Sequence, residues 1–157
     1  MAQRTDLYSM IITLTLTEIR VASQVGLQRQ LEDIHKNKGS VFGESKDMAW
    51  QRHIEGALSE CALAKYLNVY WNHQHWELPD VGEVDVRCTN YHKPDLILHD
   101  KDIDDRKYYL LKGINGTYKI CGWLYGREGK LKKYWRELVP GRGEVYAIPE
   151  IDLHDQG

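Results

Sequence analysis

The spacing of apolar residues changes part-way along the chain. As far as Leu67 they recur every three or four positions, the period of an amphipathic helix; from Val81 onward they alternate or run in short blocks, the habit of strands. Thr15-Leu16-Thr17-Glu18 fits a capping box, in which the threonine hydroxyl accepts the Glu18 amide and the glutamate reaches back. It predicts a helix over Leu16–Ile34 with Ile19, Ala22, Val25, Gly26 and Leu31 on its apolar side, ended by Lys36-Asn37-Lys38-Gly39. Gly39–Glu44 reads as a loop. Ser45 then caps a second helix over Lys46–Leu67, with Asp47 near its positive end. After the Trp-, His- and Asn-rich connection Asn68–Pro79, strands are expected at Val81–Thr89, Asp95–His99, Tyr108–Lys112, Tyr118–Leu124 and Val145–Ile148. Gly126–Glu137 reads as one short basic helix, weakened by Gly129, and Pro149 onward as a tail. The order of elements implies an α/β (α+β) fold, a central mixed sheet with helices on its faces.

At 157 residues the chain makes one domain: an amino-terminal helix at 16–35, a core at 46–149 and a tail at 150–157. The net charge of −2 gives no global positive field, so any nucleic-acid contact must come from a local patch. The three cysteines, Cys61, Cys88 and Cys121, are scattered and odd in number, which argues against a disulfide framework or zinc knuckle and suits a reducing cytoplasm. The apolar stretch Met10–Leu16 is too short for a signal peptide or a membrane span. Ten Tyr and five Trp against one Phe favour half-wet surfaces, and by composition alone permit an aromatic interaction module.

The chemistry concentrates in acids. On the second helix Glu60 shares a face with Gly56, Ala57, Leu63 and Ala64, a small apolar surface suited to packing on a sheet. A carboxylate there must be protonated, paired with a base such as Arg87, placed at the edge of the core, or bound to a cation. Asp80 follows Pro79 at the mouth of a strand, on which Asp85 and Arg87 share one side while Val84 and Val86 fill the other. Such a strand is either a solvated edge or half of a cation site.

Together, Glu60, Asp80 and Asp85-Val86-Arg87 resemble the PD-(D/E)XK nuclease superfamily. The compact spacing is most similar to the mismatch-repair nicking endonuclease and its restriction-enzyme relatives. Gly56-Ala57-Leu58-Ser59-Glu60, the Asp-x-Asp-Asp loop, Gly122-Trp123 and the final Ala-Ile-Pro also resemble small bacteriophage proteins of that superfamily, over roughly His53 to Pro149. The resemblance implies a restriction-endonuclease-like sheet. It implies Mg²⁺, with Mn²⁺ able to substitute, held by Glu60, Asp80, Asp85 and the carbonyl of Val86, and hydrolysis of DNA in the cytoplasm, the host's if phage-encoded. Arg87 stands where that family has lysine. It is always charged and cannot serve as a general base, yet its fork can steady charge on phosphate oxygens. The alternative is a nuclease fold without chemistry that binds nucleic acid or assembles with other components; a homodimer is left open.

Other patterns compete. Pro94-Asp95 is a second acid after proline, but Leu110-Leu111-Lys112 has leucine where the next acid should stand; Lys112 remains a stand-in for the lysine if the strands lie side by side. Asp100, Asp102, Asp104 and Asp105 lack the glycine and closing glutamate of a calcium loop and read as a solvated acidic turn. His73 and His75 lack a third ligand at sensible spacing. Gly126-Arg127-Glu128-Gly129-Lys130 has its glycines too close for a phosphate loop. Lys130, Lys132, Lys133 and Arg136, interleaved with Tyr134 and Trp135, form the best candidate nucleic-acid patch, or else the outer face of an amphipathic helix.

Overall fold

The computed structural model describes residues 10–36, 48–73 and 78–155. Its elements run β1 (Ile11–Thr13), α1 (Leu16–His35), α2 (Ala49–Leu67), β2 (Val84–Thr89), β3 (Asp95–Leu98), β4 (Lys107–Ile114), β5 (Thr117–Tyr125), the one-turn α3 (Gly126–Gly129), β6 (Trp135–Glu137) and β7 (Glu144–Pro149). The capping box forms as expected: the Glu18 amide donates to Thr15 Oγ1 at 3.1 Å and the Thr15 amide to Glu18 Oε1 at 2.8 Å. The buried stripe of α1 is Ala22, Gly26, Arg29 and Gln30; Leu31, expected on the apolar side, is exposed. Ser45 and Asp47, the expected cap of α2, lie outside the described residues. Asn68 closes that helix in the left-handed region at φ 55°, a conformation asparagine tolerates at helix ends.

The two long helices pack antiparallel, as their partners show: Glu18 meets Lys65, Arg29 meets Glu60 and Asp33 meets His53. Gly26 permits the approach, since a Cβ there would stand 2.6 Å from Ile54 Cα and 2.7 Å from the His53 carbonyl. Beneath them lies a four-stranded mixed sheet, ordered β1-β5-β4-β2, in which β2 runs parallel to β4 and the other pairs are antiparallel. Alternate residues of β4 build two cores. Tyr109 and Leu111 join Ala57, Leu58 and Leu63 of α2, while Tyr108 and Leu110 join Leu96, Leu98 and Ile148 of an antiparallel sheet ordered β3-β7-β6.

The molecule is therefore α+β, with helices on one face of the mixed sheet and, apart from the single turn of α3, a second sheet on the other. That corrects the expectation of helices on both faces. The misreading traces to Gly126–Glu137. Leu131, Tyr134, Trp135 and Leu138 have helical spacing, yet after α3 the chain makes one 3₁₀ turn (Lys132–Tyr134), and Trp135–Glu137 pairs with β7 instead. Cross-strand pairing overrides the local period. Within the short apolar stretch Met10–Leu16, where no strand is expected, Ile11–Thr13 forms β1, an edge strand on β5. Nor is the carboxyl end a loose tail: Leu153 is buried, and His154 exchanges backbone hydrogen bonds with Trp123 at 2.8 and 3.1 Å. Among the described residues no helix is long and apolar enough to cross a membrane.

Candidate functional site

Val81 and Val84 exchange backbone hydrogen bonds at 3.0 and 2.9 Å around Gly82-Glu83, and Gly82 takes φ +56°, the positive angle that tight hairpin turns reserve for glycine. The residues flanking that pair, Asp80 and Asp85, are thereby set side by side. They lock reciprocally: the Asp80 amide donates to Asp85 Oδ1 at 3.0 Å, and the Val86 amide donates to Asp80 Oδ2 at 3.0 Å. β2 is the edge of its sheet, so the Val86 amide points outward to Asp80. The carbonyl of the same residue lies on the same side of a strand, which aims it at the same edge.

Glu60, 5% exposed, is on α2 as its small apolar face predicted, but its partner is not Arg87. Arg29 of α1 grips it as a fork, Nη1 on Oε1 at 2.9 Å and Nη2 on Oε2 at 2.8 Å; Trp71 Nε1 donates to Oε2 at 3.3 Å. Arg29 Nη2 also donates to the His73 carbonyl at 3.3 Å. The neighbouring side of α2 is engaged too: Ser59 is buried, and Glu55 accepts the Asn115 amide at 2.9 Å and the Tyr118 hydroxyl.

Arg87 shares its side of β2 with Asp85, as expected, and lies 5.0 Å over the Tyr108 ring. Its guanidinium donates to the Ile97 carbonyl at 3.3 Å and to Asp102 Oδ1 at 2.9 Å, while Asp85 receives Arg106 at 3.3 Å. Two grooves meet at Asp80 and Arg87. One, about 690 Å³, passes Arg29, Glu60 and Val86; the other, about 480 Å³, passes Asp85, Asp102 and Arg106.

The acids feel one another. Burial, then the charge of Asp85, pushes Asp80 up from 3.8 to about 6. Burial pushes Glu60 up from 4.5 to about 7 against the pull of Arg29, and Asp80 adds to the rise. Among the described residues, however, no three His, Cys, Asp or Glu side chains stand as a metal-holding group. Both oxygens of Glu60 are turned to Arg29. The strand edge itself offers the Asp80 carboxylate, the Asp85 carboxylate with Arg106 on its Oδ2, and the Val86 carbonyl, an all-oxygen set. It fits Mg²⁺, a hard ion that is satisfied by one or two carboxylates and retained water.

The remaining candidates are occupied. Lys112 sits opposite Thr89 and donates to the His92 carbonyl at 3.0 Å, away from the acids. Asp95 opens β3, in the other sheet, and pairs with Arg136 at 3.0 Å. Lys130 pairs with Asp104 at 2.8 Å and also donates to the carbonyls of Asp100 and Asp102; Lys133 sits 4.9 Å over Tyr134. Of that expected patch, three of four cations thus serve internal contacts, and Lys132 lies in the 3₁₀ turn. His73 places its ring 4.4 Å from Trp71, and His75 lies outside the described residues. Arg29, Trp71 and Arg106 were not singled out from sequence. Arg29 carried a signal of the same kind as Glu60, a charge three and seven residues along the stripe from Gly26 and Ala22.

The chain matches no protein-family model, no curated protein and no solved structure. The resemblance to PD-(D/E)XK nucleases rests on its own residues alone.

Proposed function

We propose that the chain is an Mg²⁺-dependent endonuclease or nickase that hydrolyses phosphodiester bonds of DNA at the β2 edge. The observation that supports this best is the Asp80–Asp85 pair. Two carboxylates are held side by side in half-buried and buried positions, and Asp80 makes no ion pair among the described residues. Side-by-side acids repel, so the arrangement favours a partner of charge greater than one. Asp80, Asp85 and the Val86 carbonyl would hold the ion, with Glu60 lining the same groove as Asp80 and Val86. Bound there, Mg²⁺ would lower the pKa of a water and stabilise the oxyanions of an in-line displacement. Arg87, fixed by Asp102, supplies a positive charge for phosphate oxygens and takes no proton.

The Arg29 fork supports a second reading, a nuclease-like fold that binds nucleic acid without cutting it, since an arginine already neutralises the third carboxylate. Cleavage of plasmid and of duplex, branched and single-stranded oligonucleotides with Mg²⁺ or Mn²⁺ separates the two. Wild type and Arg87→Lys are expected to cut and Asp85→Ala to be inert. No cleavage by wild type or Arg87→Lys on any substrate removes the enzyme, and cleavage surviving Asp85→Ala removes this site.

A further inference from the structure

We infer that Arg29 is a resident counter-ion that withholds Glu60 from the cation site and releases it when a divalent cation binds at Asp80 and Asp85. This rests on the proposed site.

The geometry sets up a competition for one carboxylate. Arg29 and Glu60 side chains are each 6% exposed, and the fork uses both nitrogens on both oxygens. It cannot tighten further, and it leaves no oxygen of Glu60 without an arginine contact. Arg29, Glu60, Asp80 and Val86 line one groove, and through charge Arg29 lowers Asp80 while Asp80 raises Glu60. The guanidinium therefore stands within electrostatic reach of the place a divalent ion would take. It comes from α1, whereas the acids come from α2 and the β2 edge, so the fork can part without disturbing the Asp80–Asp85 lock. Trp71 Nε1 on Oε2 and the His73 carbonyl on Nη2 hold the closed arrangement from a single segment. Without cation the pair neutralises a buried glutamate. With cation, Glu60 can exchange one partner for another, and Arg29 is left lining the groove. A site whose competent state is a minority binds more weakly by that fraction, so removing the competitor should tighten binding by about tenfold or more.

Calorimetric titration with Mn²⁺ at about pH 8, where protons compete least for carboxylates, tests this on wild type, Arg29→Gln, Arg29→Gln/Glu60→Gln and Trp71→Phe. Arg29→Gln should bind more tightly than wild type, the double variant should lose the gain, and Trp71→Phe should show a smaller gain. Should Arg29→Gln fail to fold, Trp71→Phe and a second readout decide. The Trp71 indole N–H resonance of the wild type should move on Mg²⁺ addition, as its acceptor turns away, and stay still in Asp85→Ala. Asp85-dependent binding by wild type with no gain in the folded variants and an unmoved indole resonance would overturn the inference and leave the proposed function standing. No binding by wild type would remove both.

Discussion

Two neighbouring acidic regions are balanced in opposite ways. In the loop from Asp100 to Asp105 each carboxylate meets a partner: Asp102 takes Arg87 at 2.9 Å, Asp104 takes Lys130 at 2.8 Å, Asp105 takes Arg127 at 2.9 Å, and Asp100 takes the Tyr146 hydroxyl at 2.9 Å. At the α2–β2 junction three acids share two arginines, and the carboxyls of Asp80 and Glu60 are pushed up to about 6 and about 7. The loop's charges order a turn. Those at the junction retain repulsion that a fold has no reason to keep unless something else relieves it, which is why we place the function there.

The largest effect should come from breaking the one strong pair at the junction. Arg29→Met leaves Glu60 buried against apolar neighbours and should cost roughly 3–5 kcal/mol, whereas Arg29→Met/Glu60→Met, which removes both charges, should recover most of it. Urea denaturation in EDTA measures both. A double variant as unstable as the single would mean that the fork's contribution is packing rather than charge balance.

That pair also shows what the sequence could and could not display. The capping box, both long helices, five of the seven strands and the placing of Asp80 beside the Asp85 strand were legible because each depends on neighbours within a few residues, as a threonine three before a glutamate does; the edge strand β1 and the strand β6 were not. Glu60 was recognisable as misplaced, but its partner, 31 residues earlier, was not, because Arg29 is chosen by how two helices pack at Gly26. The helical reading of 126–137 failed for a related reason: the helical spacing of Leu131, Tyr134, Trp135 and Leu138 is real, and the partner that overrides it is β7. The second sheet, and with it the covering of the far face, was hidden by that one misread segment.

The next effect is a pH dependence of the cation-free protein. Raised folded values mean that the native state binds more protons than the unfolded state between about pH 4 and pH 7. The stabilisation is then full at low pH and is lost as pH rises through the folded values, on the order of 3 kcal/mol for each of Asp80 and Glu60. His53 and His99, whose values are lowered mainly by burial, act in the opposite sense, so the difference between wild type and Asp80→Asn is the quantity to measure. That difference should grow as pH rises from about 4 to about 7 in EDTA, with Asp80→Asn the more stable at neutral pH. A difference independent of pH would show that burial and Asp85 do not hold the Asp80 carboxyl up as described.

The smallest effect belongs to the loop. Asp105→Asn removes an exposed pair and should change stability by no more than about 1 kcal/mol, with no effect on cation binding. A loss of Mn²⁺ binding in that variant would erase the distinction between the two regions.

Whether a divalent cation sits at the β2 edge can be seen in a crystal soaked in Mn²⁺ and measured at the manganese absorption edge. The account predicts one anomalous peak in contact with Asp80 and Asp85, beside the Val86 carbonyl, and none in crystals of Asp85→Ala. A peak seated instead among Asp100, Asp104 and Asp105, or no peak at all at saturating Mn²⁺, would contradict it.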